Sequence, residues 1–155
     1  MKKNNGLSFA TLDISSLNQI LEMERYTGHY AWPLHSYEMA FRKNWSVLGV
    51  FNDTHLLGVV VYHIVFEQCT LLNIFSTKTA LNRGVASGLI SWMVTDATNK
   101  GCDTVFLEVR SNNLAAVNLY QKFGFEIVNT RISYYRYNKQ EYDAYEMALH
   151  LFTEL

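Results

Sequence analysis

The chain has 155 residues, 49% of them hydrophobic and 14% aromatic, with a formal net charge of −1. That length and apolar content are enough for one packed core and exclude a disordered segment, which has few aromatics and a high net charge. Thirteen basic residues against fourteen acidic ones create no field that would draw the protein to nucleic acid or to an anionic membrane, so neither is an expected direct partner.

In chain order, Leu7 to Leu12 reads as a strand. Asp13 or Ser15 can cap a helix whose apolar positions Ile14, Leu17 and Leu21 share one face, and Gly28 suits its stop. Ser36 can cap a short second helix through Lys43, with Glu38 in its first turn. Trp45 to Phe51 and Leu56 to Phe66 are strand-like, and Asn52-Asp53-Thr54-His55 between them predicts a hairpin. The second run is interrupted by His63 and is too short to span a bilayer as a helix. Cys69 to Phe75 is another strand. Val85, Leu89, Met93 and Ala97 then recur every fourth residue, the stripe of a helix on a core, with Gly101 as its stop. Thr104 to Val109 predicts a strand, and Asn113 to Phe123 a helix with Ala116, Leu119, Tyr120 and Phe123 on one side and Gly124 at its end. Glu126 to Tyr137 and Tyr142 to Leu151 predict two long strands around Asn138-Lys139-Gln140-Glu141. The order β-α-α-β-β-β-α-β-α-β-β predicts an α/β (α+β) fold, a mixed sheet flanked by helices. No linker or repeat divides the chain, so a single domain over residues 1–155 is expected.

Cys69 and Cys102 lack CxxC spacing and predict free thiols in a reducing compartment. Lys2-Lys3 is followed by no apolar stretch of the kind a signal peptide carries. Both point to the cytoplasm. The five histidines show no ligand spacing, and no metal is expected.

Three segments can carry chemistry. Asn82-Arg83-Gly84-Val85-Ala86-Ser87 leads from a strand into a helix. Gly84 permits a tight turn, and the unpaired N–H groups of a helix start form an anion site suited to a pyrophosphate. An ordinary helix start with one glycine would look the same. In Leu107-Glu108-Val109-Arg110 a glutamate interrupts an apolar strand. In a cleft, burial would make it a usable base; on a surface it would pair with a nearby cation. The third segment is the amphipathic helix from Asn113, ending Leu119-Tyr120-Gln121-Lys122-Phe123-Gly124-Phe125. Asn113 can cap it and also bond an amide ligand. Tyr120 can pack in the core with its hydroxyl at the rim.

In this order and spacing, the three segments resemble the GNAT acetyltransferases. The similarity runs from about Cys69 to Leu149 and includes Thr70-Leu71-Leu72-Asn73-Ile74, Arg131-Ile132-Ser133-Tyr134-Tyr135 and Asp143-Ala144-Tyr145-Glu146-Met147. Within the family it is most similar to bacterial enzymes that acetylate the N-terminal alanine of a small-subunit ribosomal protein. The resemblance implies acetyl-CoA as co-substrate and a protein or peptide N-terminus as partner. It implies that Ile74, Phe75 and Ser76 pair with the pantetheine arm, that Asn82, Arg83, Gly84, Val85, Ala86 and Ser87 cradle the pyrophosphate, and that Asn113 bonds near the pantetheine. Glu108 would be the general base, Tyr120 the general acid, and Trp32, Tyr134 and Tyr135 would line the acceptor cleft. Leu81 stands where the family has Gln or Arg, and Ala31-Trp32-Pro33 where Pro-Trp is usual. Direct transfer is expected, since no cysteine lies in the motifs. A lysine or small-amine acceptor, and an acyl-CoA-binding module without catalysis, are the alternatives.

Overall fold

A computed structural model describes residues 6–27, 31–80 and 84–151. The elements are β1 Leu7–Thr11, α1 Leu17–Arg25, α2 Leu34–Arg42, β2 Ser46–Asn52, β3 His55–Val65, β4 Gln68–Ser76, α3 Val85–Asn99, β5 Thr104–Arg110, α4 Leu114–Lys122, β6 Glu126–Tyr137 and β7 Gln140–His150, with 3-10 turns at Ile14–Ser16 and Lys78–Ala80. The strands form a seven-stranded mixed sheet in the order β1-β2-β3-β4-β5-β7-β6. The predicted order of elements and the mixed sheet are both observed. The chain clusters into two compact units, Met1–His63 with Leu72–Thr95 and Ile64–Leu71 with Asp96–Leu155.

In the first unit, β1 pairs antiparallel with β2, and β2 with β3 through the predicted hairpin, where Asn52 faces His55. Seven consecutive residues of β3, Leu56–Tyr62, are buried. A strand covered on both faces loses the in–out alternation of a half-exposed one. Ile20, Tyr37, Val47, Val59, Val61 and Phe75 belong to the core. Helix α3 buries the predicted stripe, Val85, Leu89, Met93 and Ala97, and Ile90 beside it. Gly58 permits this approach, because a Cβ there would lie 2.8 Å from both the Phe75 carbonyl oxygen and Val85 Cγ1.

Two helix expectations are corrected here. Asp13 caps the 3-10 turn, its carboxylate accepting from the Ser15 N–H at 2.9 Å, and the α-helical phase begins only at Leu17. Leu17 and Leu21 pack partly buried against the core as expected, the fully buried positions of α1 are Ile20 and Glu24, four residues apart, and of the three expected apolar positions only Ile14 is exposed. Helix α2 begins at Leu34, with Pro33 as N-cap at φ −70° and ψ 155°; the fixed proline φ suits a helix start, and Ser36 lies inside the first turn. The expected stop at Gly28 lies outside the described residues.

In the second unit, β4 runs parallel to β5 over Gln68–Thr70 and Thr104–Phe106, β5 pairs antiparallel with β7, and β7 with β6. Asn113 caps α4, its Oδ1 accepting from the Ala116 N–H at 3.3 Å. The helix buries Val117 and Tyr120; Ala116, Leu119 and Phe123 are only partly covered, so the inward face is rotated toward Val117. The β6–β7 turn is shorter than predicted. Asn138 and Lys139 have φ 47° and 64°, the paired positive values of a two-residue hairpin turn, and Gln140 and Glu141 already pair with Tyr137 and Arg136. Cys69 and Cys102 are free and buried. Burial first, then the neighbouring Cys102, pushes Cys69 up to about 12, which leaves it an inert thiol.

Candidate active site

Strand alternation places Glu108. On β5, Leu107 and Val109 are buried, so Glu108 points to the opposite, exposed face. Its register partner on β7 is Glu146, and like charges directly opposite repel. Arg131 on β6 compensates. Its Nη2 lies 2.6 Å from Glu146 Oε1, its Nη1 3.9 Å from Glu108 Oε1. Glu146 also accepts from Asn129 Nδ2 at 3.0 Å. The two carboxylates, first Glu146 and then Glu108, raise the pKa of Arg131. Glu146 is thus tightly held and Glu108 loosely. Of the two surroundings open to Glu108 from sequence, the exposed face beside a cation is the observed one.

The same face carries Tyr134 and Tyr135. Arg131 pairs with Ala144 and Tyr135 with Tyr142, so β6 holds two extra residues between them. In this bulge Ser133 has φ 54°, and its N–H donates to Asp143 Oδ1 at 2.9 Å. Bulges re-aim side chains. Here Arg131 Cζ lies 5.0 Å from the Tyr134 ring centroid, and Tyr134 meets Tyr135 edge-to-face at 5.1 Å. Burial, then the charge of Glu108, raises the pKa of half-buried Tyr135. Three of the predicted site residues, Glu108, Tyr134 and Tyr135, are therefore brought together, with Arg131 joining them.

Tyr120, on α4, is 5% exposed and meets Phe125 edge-to-face at 5.8 Å. Burial pushes its hydroxyl up to about 12, so it is a proton carrier throughout the neutral range. Asn113 spends its side-chain oxygen on the helix cap, which leaves its amide N–H groups for a ligand.

In the first unit, Ile74 and Ser76 are half-buried on β4, whereas the Phe75 side chain belongs to the core. Gly84 has φ +74°, and a Cβ built there meets nothing within 4 Å among the described residues. An L side chain is strained at that φ, so glycine is needed for the backbone. Gly84 O accepts from the Gly88 N–H at 2.9 Å as α3 begins. Val85 is buried, while Ala86 and Ser87 are half-buried. Asn82 and Arg83 lie outside the described residues. A helix start of this kind fits an anionic phosphate group. Val85 and Phe75 can meet such a ligand only through their backbones.

Trp32 is half-buried just before α2. Its backbone N–H donates to Glu24 Oε1 at 3.0 Å and its ring meets Tyr37 edge-to-face at 4.9 Å. Glu24 is 3% exposed. It also accepts from the Tyr37 hydroxyl at 2.7 Å and from Asn73 Nδ2 at 2.9 Å. The Tyr37 hydroxyl is held well above the usual tyrosine range by burial and then by the Glu24 charge. Sequence reasoning singled out neither Glu24 nor Tyr37, and quoted Asn73 without a role. The available signals were an acid four residues after Ile20 and an amide inside the apolar run Leu71-Leu72-Asn73-Ile74-Phe75. Among the described residues no helix is long and apolar enough to cross a membrane, and no group of three or more His, Cys, Asp or Glu could hold a metal.

The family model for the acetyltransferase (GNAT) family matches residues 14–125, and the chain belongs to that family. It is an N-acetyltransferase by class. The chain is 25% identical over 142 residues to the ribosomal protein bS18-alanine N-acetyltransferase of Salmonella typhimurium, covering 92% of this chain and 96% of that one. Its fold matches the crystal structure of the ribosomal-protein-S18-alanine N-acetyltransferase from Escherichia coli with a TM-score of 0.90 at 22% identity, covering 96% of each chain. It also matches Arabidopsis thaliana NAA60 in complex with acetyl-CoA, with a TM-score of 0.83 at 18% identity over 94% of this chain and 98% of that one.

Proposed function

We propose that this protein transfers the acetyl group of acetyl-CoA to the N-terminal amine of a protein, the alanine terminus of a small-subunit ribosomal protein, and does so in the cytoplasm as one domain. The observation that carries this reading is the reach of the likeness. It extends over 92% of the chain to alanine N-acetyltransferases and so includes the β6–β7 hairpin, whose bulge gathers Tyr134, Tyr135 and Arg131 around Glu108.

The co-substrate supplies an activated acetyl thioester. The helix start at Gly84 to Ser87, with Asn82 and Arg83, would hold its pyrophosphate. The backbone of Ile74, Phe75 and Ser76 would pair with the pantetheine amides, and Asn113 Nδ2 would donate to one of them. A β4 N–H would stabilise the developing oxyanion. The acceptor must be a neutral amine. An α-amino group titrates near 7.7–8.0 and a lysine near 10.4, so the terminal amine costs roughly 3.5 kcal/mol less to deprotonate. Glu108, exposed and loosely held, accepts that proton, directly or through one water. Tyr120 donates to the departing sulfur. At about 12 its hydroxyl is a weaker acid than a thiol of about 8.5, so complete transfer in the ground state would run uphill by roughly 5 kcal/mol. Its contribution is thus a hydrogen bond that strengthens as charge builds on sulfur. Trp32, Tyr134 and Tyr135 would hold the peptide by stacking and hydroxyl contacts.

The test uses two peptides of the same sequence with one internal lysine. One has a free alanine terminus and a blocked lysine; the other has the terminus blocked and the lysine free. Preference for the free terminus is expected. Equal acetylation, or preference for the lysine, overturns the N-terminal assignment and leaves the family membership untouched.

A further inference from the structure

We propose that Asn73 is an acceptor-binding residue, oriented by Glu24 and Tyr37 so that its side-chain carbonyl receives an N–H of the incoming amine. This rests on the acetyl-transfer reading above and assigns a substrate contact within it. Asn73 Nδ2 donates twice, to Glu24 Oε2 and to the Tyr37 hydroxyl oxygen, both at 2.9 Å. The Tyr37 hydroxyl donates in turn to Glu24 Oε1 at 2.7 Å, which closes a ring of three side chains. An amide nitrogen has two N–H groups, and both are spent. Its orientation is therefore fixed, and Oδ1 turns away from the ring, where it accepts no hydrogen bond among the described residues.

The same carboxylate holds the Trp32 backbone N–H at 3.0 Å. Glu24 thus fastens a β4 side chain and Trp32, the residue proposed above to hold the peptide, to one point. A neutral amine attacks through its lone pair, so its N–H groups must be held by acceptors elsewhere. An amide carbonyl suits that task. A carboxylate in its place would favour the ammonium form, which cannot attack. Glu24 meets the acceptor only through Asn73, with three donors on its oxygens, and acts as a positioning residue.

The experiment uses the purified full chain, acetyl-CoA and a peptide with a free alanine terminus. Asn73→Ala is expected to raise the KM for peptide about tenfold, the loss of one hydrogen bond. The KM for acetyl-CoA should stay within about twofold of wild type, since uniform binding to the other substrate is untouched. Glu24→Gln gives a second readout if the alanine variant does not fold. Whichever way its amide turns, an N–H donor faces either the Asn73 amide or the Trp32 N–H, so the peptide KM should rise while that for acetyl-CoA holds. Unchanged peptide KM in both variants, or a parallel rise in both KM values, overturns the assignment. Wild-type protein that acetylates no amine at all would instead overturn the acetyl-transfer reading on which it rests.

Discussion

Each unit of the molecule holds a glutamate and a buried tyrosine, and their surroundings differ. In the first unit, Glu24 is buried and accepts from the Trp32 N–H, the Tyr37 hydroxyl and the Asn73 amide. In the second, Glu108 is exposed, with Arg131 at 3.9 Å, and Tyr120 is buried against Phe125 with no hydrogen bond to its hydroxyl among the described residues. A carboxylate whose lone pairs are filled holds its donors in place. A carboxylate and a hydroxyl with unused capacity can accept and donate protons. The contrast suits the first pair to holding position and is consistent with the proton-transfer roles proposed for the second.

Removing the Tyr120 hydroxyl gives the largest expected effect. Tyr120→Phe is expected to lower kcat about 10²–10³-fold, the range for losing one hydrogen-bond donor to developing charge, with acetyl-CoA affinity by calorimetry unchanged. Wild-type turnover would remove Tyr120 from the mechanism. Glu108→Gln comes next, with a fall of about 10²-fold. Raising the pH should recover part of it, because more acceptor is then already neutral. A pH-independent loss would show that Glu108 acts by binding rather than by taking a proton.

The placement of Glu108 and Tyr120 was the legible part of this contrast. Glu108 interrupts an apolar strand, and Tyr120 sits in a helix with a recognisable stop at Gly124. Local pattern suffices there, since strand period and helix caps act within a few residues. Glu24 was missed because its burial depends on Tyr37 and Asn73, 13 and 49 residues away, and a polar residue's partner across that separation leaves no local trace. Ile14 was misplaced for a related reason, while Leu17 and Leu21 do pack on the core. Asp13 starts a 3-10 turn rather than the α-helix, which leaves Ile14 exposed outside the helical stripe. The β6 bulge was equally hidden, because only the β7 register reveals the two extra residues before Tyr135.

The stabilities of the two carboxylates should differ in the opposite sense to their effects on turnover. Glu24→Ala strands the buried Tyr37 hydroxyl, at about 1–3 kcal/mol, and frees the part-buried Trp32 N–H and Asn73 amide. At this chain length, roughly 2–4 °C of Tm is lost per kcal/mol. Glu108→Ala removes an exposed group with one distant partner and should stay within about 0.5 kcal/mol of wild type. Thermal unfolding of both variants reads the difference. Equal shifts would mean that the two environments are energetically alike and that the contrast is only geometric.

The smallest effect is a titration. Tyr120 is pushed up to about 12 by burial, against about 10 in an unfolded chain. A raised folded value means that the native state keeps a proton which the unfolded state has lost. Its contribution is fully present below pH 10 and disappears as pH rises toward 12, since stability falls with pH wherever the unfolded state binds fewer protons. At pH 11 the loss is about 1.4 kcal/mol from this one hydroxyl. Tyr37 is raised as well, by burial and by Glu24, and contributes in the same window. Urea unfolding at pH 9 and pH 11 separates the two. Lysines and other groups titrate alike in wild type and in Tyr120→Phe, so the difference between the two proteins isolates Tyr120. The variant should lose about 1.4 kcal/mol less than wild type between these pH values. Equal losses would show that the Tyr120 hydroxyl ionises as freely in the folded protein as in the unfolded chain, and would return it to the class of ordinary solvent-facing tyrosines.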